Sequence, residues 1–169
     1  MLHTGTGTKK DDTAAAEYWE SSAMLGNVPA QYALGKLYRD GDCVPRNIAK
    51  AMELFLLSAN QKNDYAQYQL GKLYLADERV PKDVDSAIRW LDESAEQGNQ
   101  YAQYILGKLY LCGKEIPHDK EKAVQYLEAS AAQGNLYARF FLDHLDSFGN
   151  PSAFLAATRL LDRRSFLAL

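Results

Sequence analysis

Small and apolar residues recur along this chain at the spacing of a helix with one buried face. One such stripe occupies positions i, i+3, i+4, i+7 and i+8, and its members are Ala30, Ala33, Leu34, Leu37 and Tyr38. A second stripe with the same spacing contains Ala87, Trp90, Leu91, Ser94 and Ala95. Both patterns predict amphipathic helices. We name the first helix A and the second helix B.

Both stripes repeat at a fixed interval of 36 residues. The block Ala30–Tyr38 recurs at Ala66–Tyr74 and at Ala102–Tyr110, and helix B recurs in one register at Ala15, Ala51, Ala87 and Ala123. A fixed period of this size indicates a helical solenoid, because helices this short need stacked neighbours to form a continuous core.

Turn residues follow the same period. The predicted N-caps of helix A are Asn27, Asn63, Asn99 and Asn135, and those of helix B are Asn47, Asp83 and Asp119. Pro45, Pro81 and Pro117 mark the loop between the two helices. Gly26, Gly98 and Gly134 suit the left-handed residue that ends helix B, whereas Lys62 occupies that place once. We expect the turn at Lys62 to be energetically less favourable than the glycine turns.

Glycine also recurs inside helix A, at Gly35, Gly71 and Gly107. Glycine within a helix costs about 0.5–1 kcal/mol relative to alanine. Its recurrence at one register therefore predicts close approach of a neighbouring helix. In the fourth unit this position is Asp143, and the last tyrosine of the block becomes Asp146, so the regular array is expected to end there.

The repeated residues resemble the Sel-one-like repeats, a branch of the tetratricopeptide-like helical repeats. The similarity lies in Ala-x3-Leu-Gly-x2-Tyr, in the Gly/Asp-containing loop with proline, and in Asp-x3-Ala-x2-Trp/Tyr-Leu-x2-Ser-Ala-x2-Gly-Asn, over about residues 14–146. The resemblance implies an all-α fold, a right-handed α-α superhelix of antiparallel helix pairs that serves as an adaptor for protein partners. Lys62 and Asp77 depart from the family pattern, which usually has glycine at both places.

The repeats divide the chain into three predicted regions. Residues 1–12 form a polar, flexible tail, residues 13–147 form the repeat array, and residues 148–169 form a capping helix and tail. The array comprises a half repeat, three full repeats from residues 30, 66 and 102, and a terminal partial unit from residue 138.

The array begins with a helix B that no helix A precedes. Tyr18, Trp19 and Met24 are therefore expected to lack a partner on one side. Three explanations stay open: the chain is part of a longer protein, which we favour, or the segment is a distinct N-terminal cap, or this helix mediates self-association.

Composition and charge narrow the function classes. Apolar residues make up 47% and charged residues 24% of the chain, and the formal net charge is −3. Interleaved charges argue against nucleic-acid binding by this segment, and no apolar run is long enough for a membrane span. The N-terminus lacks the apolar core of a signal peptide, so we expect a cytoplasmic protein. Cys43 and Cys112 lie in loops of different repeats and are expected to be free thiols.

The residues of helix A outside its buried stripe are expected to line the concave groove of a curved solenoid. They form ladders of glutamine, tyrosine and lysine with one arginine: Gln31, Tyr32, Lys36, Arg39, Gln67, Tyr68, Lys72, Gln103, Tyr104 and Lys108. Tyrosine suits an interface because it combines apolar area with a hydrogen-bonding tip, and the lysines favour an acidic partner segment or a terminal carboxylate. We therefore predict a scaffold that holds a peptide or protein. Alternatively, the tyrosines pack between adjacent A helices and the lysines are solvated charge.

Catalytic chemistry is not indicated. His3, His118 and His144 are far apart and lack metal-ligand spacing, and Gly5–Lys10 lacks the order of a phosphate-binding loop. We expect a protein that is not an enzyme and uses neither metal nor cofactor. A hydrolase is the weaker alternative, because some relatives of the resembled family are associated with β-lactam hydrolysis. Those relatives carry a cysteine pair in each repeat, which this chain lacks.

The C-terminal tail suggests a different function. Pro151–Leu161 resembles the C-terminal region of some bacterial plasmid-mobilisation relaxases, in which such repeats follow a nicking domain. This resemblance implies an accessory module of a DNA-mobilising protein, and it does not extend to nicking because the histidine cluster of that domain is missing. The simpler expectation is an amphipathic helix that covers the last repeat through Phe154, Leu155, Thr158 and Leu160 or Leu161.

Overall fold

A computed structural model describes residues 18–42 and 44–145, which form helices joined by short loops and contain no strand. Helix α1 covers residues 18–24. The others are α2 (Val28–Asp40), α3 (Ile48–Asn60), α4 (Asp64–Ala76), α5 (Val84–Glu96), α6 (Gln100–Cys112), α7 (Lys120–Ala132) and α8 (Leu136–His144). The A helices are α2, α4, α6 and α8, and the B helices are α1, α3, α5 and α7. The predicted all-α class with helix pairs is confirmed.

The predicted caps begin the helices. In each helix A the side-chain oxygen of the cap accepts the backbone N–H three residues later at 2.8–3.1 Å, in Asn27, Asn63, Asn99 and Asn135. Asn47, Asp83 and Asp119 make the same contact at 3.0 Å in the B helices. These bonds satisfy N–H groups that the first turn of a helix leaves without an internal acceptor.

The turns from helix B to helix A use the left-handed backbone region that the glycines predicted. Gly26, Gly98 and Gly134 have φ values of 82°, 91° and 92°. Lys62 has the same kind of conformation, with φ of 67°, although it carries a side chain. This region costs an ordinary residue about 1–2 kcal/mol, so strain at the Lys62 turn stays a prediction with a physical basis.

The chain divides into two compact units, residues 1–94 and residues 95–169. In the first unit, Leu34, Phe55 and Leu70 are at most 2% exposed and lie in one core. Ser58 Oγ donates to the carbonyl oxygen of Val28 at 3.2 Å, and Ser94 Oγ donates to that of Asp64 at 2.7 Å. Helices α3 and α5 are thus each hydrogen-bonded to the first residue of the A helix that precedes them.

The second unit repeats this construction. Its core contains Leu127 and Phe141, which are at most 1% exposed. Ser130 Oγ of α7 donates to the carbonyl oxygen of Gln100, the first residue of α6, at 2.7 Å. The same serine contact therefore recurs in both units.

The helix glycines lie where a B helix presses against an A helix. A Cβ atom on Gly35 would lie 2.8 Å from the Phe55 ring, and one on Gly107 would lie 2.7 Å from Leu127 Cγ. The predicted close approach is confirmed. Asp143, at the same register in α8, is exposed.

Several predictions concern residues outside the described ranges. These are the N-terminal tail of residues 1–12, Cys43, Asp146, and the C-terminal region that includes Pro151–Leu161. Cys112, which was expected in a loop, is the last residue of α6. Within the described ranges, no helix combines the length and apolar character needed to cross a membrane.

Candidate functional site

The three glutamines predicted to line the groove are buried instead. Gln31, Gln67 and Gln103 are 3%, 0% and 7% exposed. The Nε2 amide of each donates to a carbonyl oxygen in the last turn of the preceding helix B, which is that of Ala23, Ala59 or Ala95, at 3.2–3.3 Å. Each of these carbonyls also accepts a backbone N–H from the turn that follows its helix, at 2.9–3.0 Å. The expectation of an exposed glutamine ladder is wrong, because the position reaches back to cap the helix before it.

The same glutamines connect to a second polar partner, which lies in the following helix B or directly after it. Gln31 Oε1 accepts from Gln61 Nε2 at 2.9 Å, and Gln103 Oε1 accepts from Gln133 Nε2 at 2.9 Å. Gln67 Nε2 also donates to Glu93 Oε2 at 2.9 Å. A buried amide is stable only when its polar atoms are paired. Their role in the described structure is therefore to hold successive helices together.

The tyrosines of helix A are half-buried and pack against neighbouring helices. The Tyr32 ring lies 6.0 Å from that of Phe55 and 6.1 Å from that of Tyr65. The Tyr104 ring lies 5.7 Å from that of Phe141, edge to face, and 6.0 Å from that of Tyr137. The packing alternative is thus correct for Tyr32 and Tyr104, while both residues keep part of their surface accessible.

This surface also contains a further set of tyrosines that the sequence pattern was not used to predict. Each is the second residue of an A helix, and their exposed fractions are 48%, 45% and 42%, in Tyr65, Tyr101 and Tyr137. They recur every 36 residues, so the period itself could have identified them. We call Tyr32, Tyr65 and Tyr68 the tyrosine face of the first unit, and Tyr101, Tyr104 and Tyr137 the tyrosine face of the second unit.

The predicted lysines lie over the tyrosine rings rather than standing free. The Nζ atoms of Lys36, Lys72 and Lys108 lie 5.8, 5.3 and 5.2 Å from the ring centroids of Tyr32, Tyr68 and Tyr104. Each lysine follows its tyrosine by four residues, which places both on the same side of the helix. A cation over an aromatic ring is weakly attracted to it. Each tyrosine face therefore carries positive charge.

Arg39 is the centre of a polar network between α2 and α4. Its Nε and Nη2 atoms each donate to a carboxylate oxygen of Asp40 at 2.7 Å, and its Nη1 atom donates to Gln69 Oε1 at 2.6 Å. Gln69, which is 8% exposed, also hydrogen-bonds Tyr32. The bond to Asp40 raises the pKa of Arg39 and lowers the pKa of Asp40. Burial raises the pKa of Tyr32, so this hydroxyl stays protonated.

Lys72 lies next to this network. Burial lowers its pKa, and the nearby Arg39 lowers the pKa further, although the residue remains accessible to solvent. Lys72 follows Gln69 by three residues on α4, so it lies on the same side of the helix as the residue that Arg39 binds. The positive charges of Arg39 and Lys72 are therefore held close together at the tyrosine face of the first unit.

The N-terminal helix is partly exposed. Tyr18 and Met24 are 69% and 88% exposed, whereas Trp19 packs against the core of the first unit. Tyr38 Oη donates to Glu20 at 2.7 Å and Lys50 Nζ donates to Glu20 at 3.0 Å, which connects α1 to α2 and α3. Self-association through this helix stays a prediction.

The histidines do not form a site in the described part of the chain. His118 is exposed in a loop, and His144 stacks on Phe140 with ring centroids 4.2 Å apart. The described residues contain no group of three or more metal-ligating side chains. His3 lies outside the described residues.

Paired helices and repeated caps define a helical-repeat protein. The Sel1 repeat matches residues 1–27, 28–63, 64–99 and 100–135, which is most of the chain. The chain belongs to the Sel1 repeat family, and the predicted resemblance is confirmed. Proteins with Sel1 repeats generally serve as protein-interaction scaffolds.

Solved structures show the same fold. A protective antigen of uropathogenic Escherichia coli with an SLR fold is 34% identical, with a TM-score of 0.72, over 75% of this chain and 27% of that protein. A Sel1 repeat protein of Oxalobacter formigenes is 33% identical, with a TM-score of 0.68, over 75% of this chain and 96% of that one. This chain therefore spans about a quarter of the first relative and nearly all of the second.

A more distant structure shares only the fold. The cysteine-rich protein B of Helicobacter pylori is 20% identical, with a TM-score of 0.62, over 82% of this chain and 99% of that protein. No curated protein sequence matches the chain.

Proposed function

We propose that this chain is a protein-interaction scaffold that holds a peptide or protein segment against the tyrosine faces of its A helices. The observation that carries the proposal is the recurrence of half-exposed, paired tyrosines, Tyr32 with Tyr65 and Tyr104 with Tyr137. Rings that are fixed by packing offer apolar area at low entropic cost. A non-catalytic role in the cytoplasm is part of this proposal.

The charge of these faces favours an acidic partner. Lys36, Lys72 and Lys108 lie beside the tyrosine rings, although the whole chain has a formal net charge of −3. Local positive charge on a negative protein attracts acidic segments to that location in preference to the remaining surface.

A pull-down from source-cell lysate tests the proposal. The variant Tyr65→Ala/Tyr101→Ala removes two exposed rings and should keep the fold, as circular dichroism would show. Leu57→Ala is the matched control, because Leu57 is 51% exposed but lies on a B helix. We expect the wild type and the control to capture the same partner and the double variant to lose it. Equal capture by all three proteins would contradict the proposal.

A further inference from the structure

One place on the first unit combines features that the other repeats lack. Arg39 Nη1 is bonded to Gln69 Oε1 at 2.6 Å. On α4, Lys72 follows Gln69 by three residues, so the two side chains are neighbours on one side of the helix. Lys72 Nζ also lies 5.3 Å from the centre of the Tyr68 ring. Arg39, Lys72 and the Tyr68 ring therefore lie together on the surface between α2 and α4.

This surface carries more positive than negative charge. Asp40 is bound to Arg39 through two bonds of 2.7 Å, and it also acts electrostatically on Lys72. Its single negative charge stands against the two positive charges of Arg39 and Lys72. The remaining positive charge attracts an incoming carboxylate.

We infer that Arg39 and Lys72 form a subsite for the side-chain carboxylate of an acidic residue in the partner segment. The inference rests on the proposed scaffold function. The subsite binds through side-chain donors, because backbone N–H groups inside α2 and α4 are used by the helices themselves. Capture of a chain terminus commonly uses free backbone N–H groups. Phosphate groups are commonly bound by a cluster of several arginines, and this subsite has a single arginine, Arg39.

The subsite also fixes where the partner lies along the repeats. The register of Arg39 is occupied by Leu75 and Leu111 in the next repeats, and that of Gln69 by Ala33 and Ile105. The tyrosines recur, whereas this cationic pair occurs once among the aligned positions. An acidic residue bound here would set the register of a segment that the repeated tyrosines alone could bind in several positions.

The test uses fluorescein-labelled hexaglutamate that is blocked at both ends and followed by fluorescence polarisation. We expect Lys72→Gln to weaken binding about tenfold, as loss of a charge-assisted contact would. The matched control is Lys114→Gln, which removes the same charge from an exposed loop residue. It should change the affinity by less than about twofold, because exposed charges contribute little. Hexaglutamine with a free C-terminal carboxylate should show no dependence on Lys72.

Three results would overturn the subsite. The first is an equal loss of binding in the two lysine variants, the second is absence of hexaglutamate binding, and the third is Lys72-dependent binding of the terminal carboxylate. The pull-down separates this inference from the scaffold itself. If Lys72→Gln captures the partner as well as the wild type does, the subsite is wrong and the scaffold stands. If hexaglutamate binds through Lys72 but no partner depends on the tyrosine faces, the scaffold is wrong.

Discussion

A Cβ atom on Gly71 would lie 2.5 Å from Cγ of Leu91, so the α4 backbone and the Leu91 side chain of α5 are in direct contact. The carbonyl oxygen of Ala87 would lie 3.2 Å from this added Cβ atom. We therefore expect Gly71→Ala to destabilise the protein by about 1–2 kcal/mol. Overpacking costs about 1–3 kcal/mol, which exceeds the gain of about 1 kcal/mol in helix propensity. Urea unfolding measures the difference.

A second glycine gives the control for Gly71. A Cβ atom on Gly98 would meet nothing within 4 Å, but φ there is +91°. Asparagine tolerates this backbone region better than alanine does, so Gly98→Asn should cost less than Gly98→Ala. At position 71 the larger asparagine should cost more than alanine. If asparagine and alanine rank in the same order of cost at positions 71 and 98, the packing explanation is contradicted.

Replacing Lys62 with glycine should stabilise the protein. Lys62 has φ of 67°, where the neighbouring repeats have glycine. Relief of the backbone strain, about 1–2 kcal/mol, exceeds the entropy that glycine adds to the unfolded chain, about 0.4–1 kcal/mol. We expect a small rise in melting temperature. The adjacent Gln61→Gly should lower it, since Gln61 has φ of −91°. A lower melting temperature for both variants would refute the strain at Lys62.

Loss of the Gln67 side chain should reduce stability. It is fully buried and donates to the carbonyl oxygen of Ala59 and to Glu93 Oε2. Because Gln67→Ala removes two side-chain hydrogen bonds and leaves a cavity at a buried position, we expect a loss of about 1–3 kcal/mol in the free energy of unfolding. The exposed Gln125 of α7 is the control, and Gln125→Ala should stay within about 0.5 kcal/mol. Equal stabilities would mean that the amide of Gln67 is not needed for packing.

The pair Asp40–Arg39 predicts a defined pH dependence. The bond to Arg39 lowers the pKa of Asp40 in the folded state. Its contribution to stability is therefore complete above the unfolded pKa of about 3.9 and disappears as the pH falls through the lower folded value. The Asp40 side chain is 48% exposed, so Asp40→Asn should cost less than about 1 kcal/mol at pH 7. Urea unfolding measured from pH 7 into the acidic range should show the stability gap between wild type and variant narrowing as Asp40 becomes protonated. A gap of constant size over that range would exclude an ionic origin.

The fold could be predicted from the sequence because its determinants are local and repeated. Asn63 caps a helix through its own side chain. Gly71 has no side chain and so allows close packing of α4 against α5. Each such residue occurs at the same register in several units, so every copy of the repeat supports the same prediction. Helix boundaries and turn conformations followed from these residues.

The candidate site could be predicted only in part, because a helical stripe does not show how far a polar side chain reaches. Gln67 lies beside the buried stripe, yet its amide extends to the previous helix and is fully buried. Tyr65 lies in the first turn of its helix and was not predicted to belong to the site. It is half-exposed and packs on Tyr32. The contact between Arg39 and Gln69 joins residues 30 positions apart. Because the equivalent positions of the other repeats carry apolar residues, the repeat pattern does not indicate this contact.

The most direct test of the scaffold is site-specific photo-crosslinking in the source cells. A benzophenone amino acid replaces Tyr68 on the tyrosine face of the first unit, and in a separate protein it replaces the exposed Glu53 of the B helix α3. The scaffold account predicts one crosslinked partner from position 68, none from position 53, and loss of the crosslink when Tyr65→Ala/Tyr101→Ala is added. Crosslinking from position 53 alone, or crosslinks from position 68 that the added substitutions do not change, would contradict binding at the tyrosine faces.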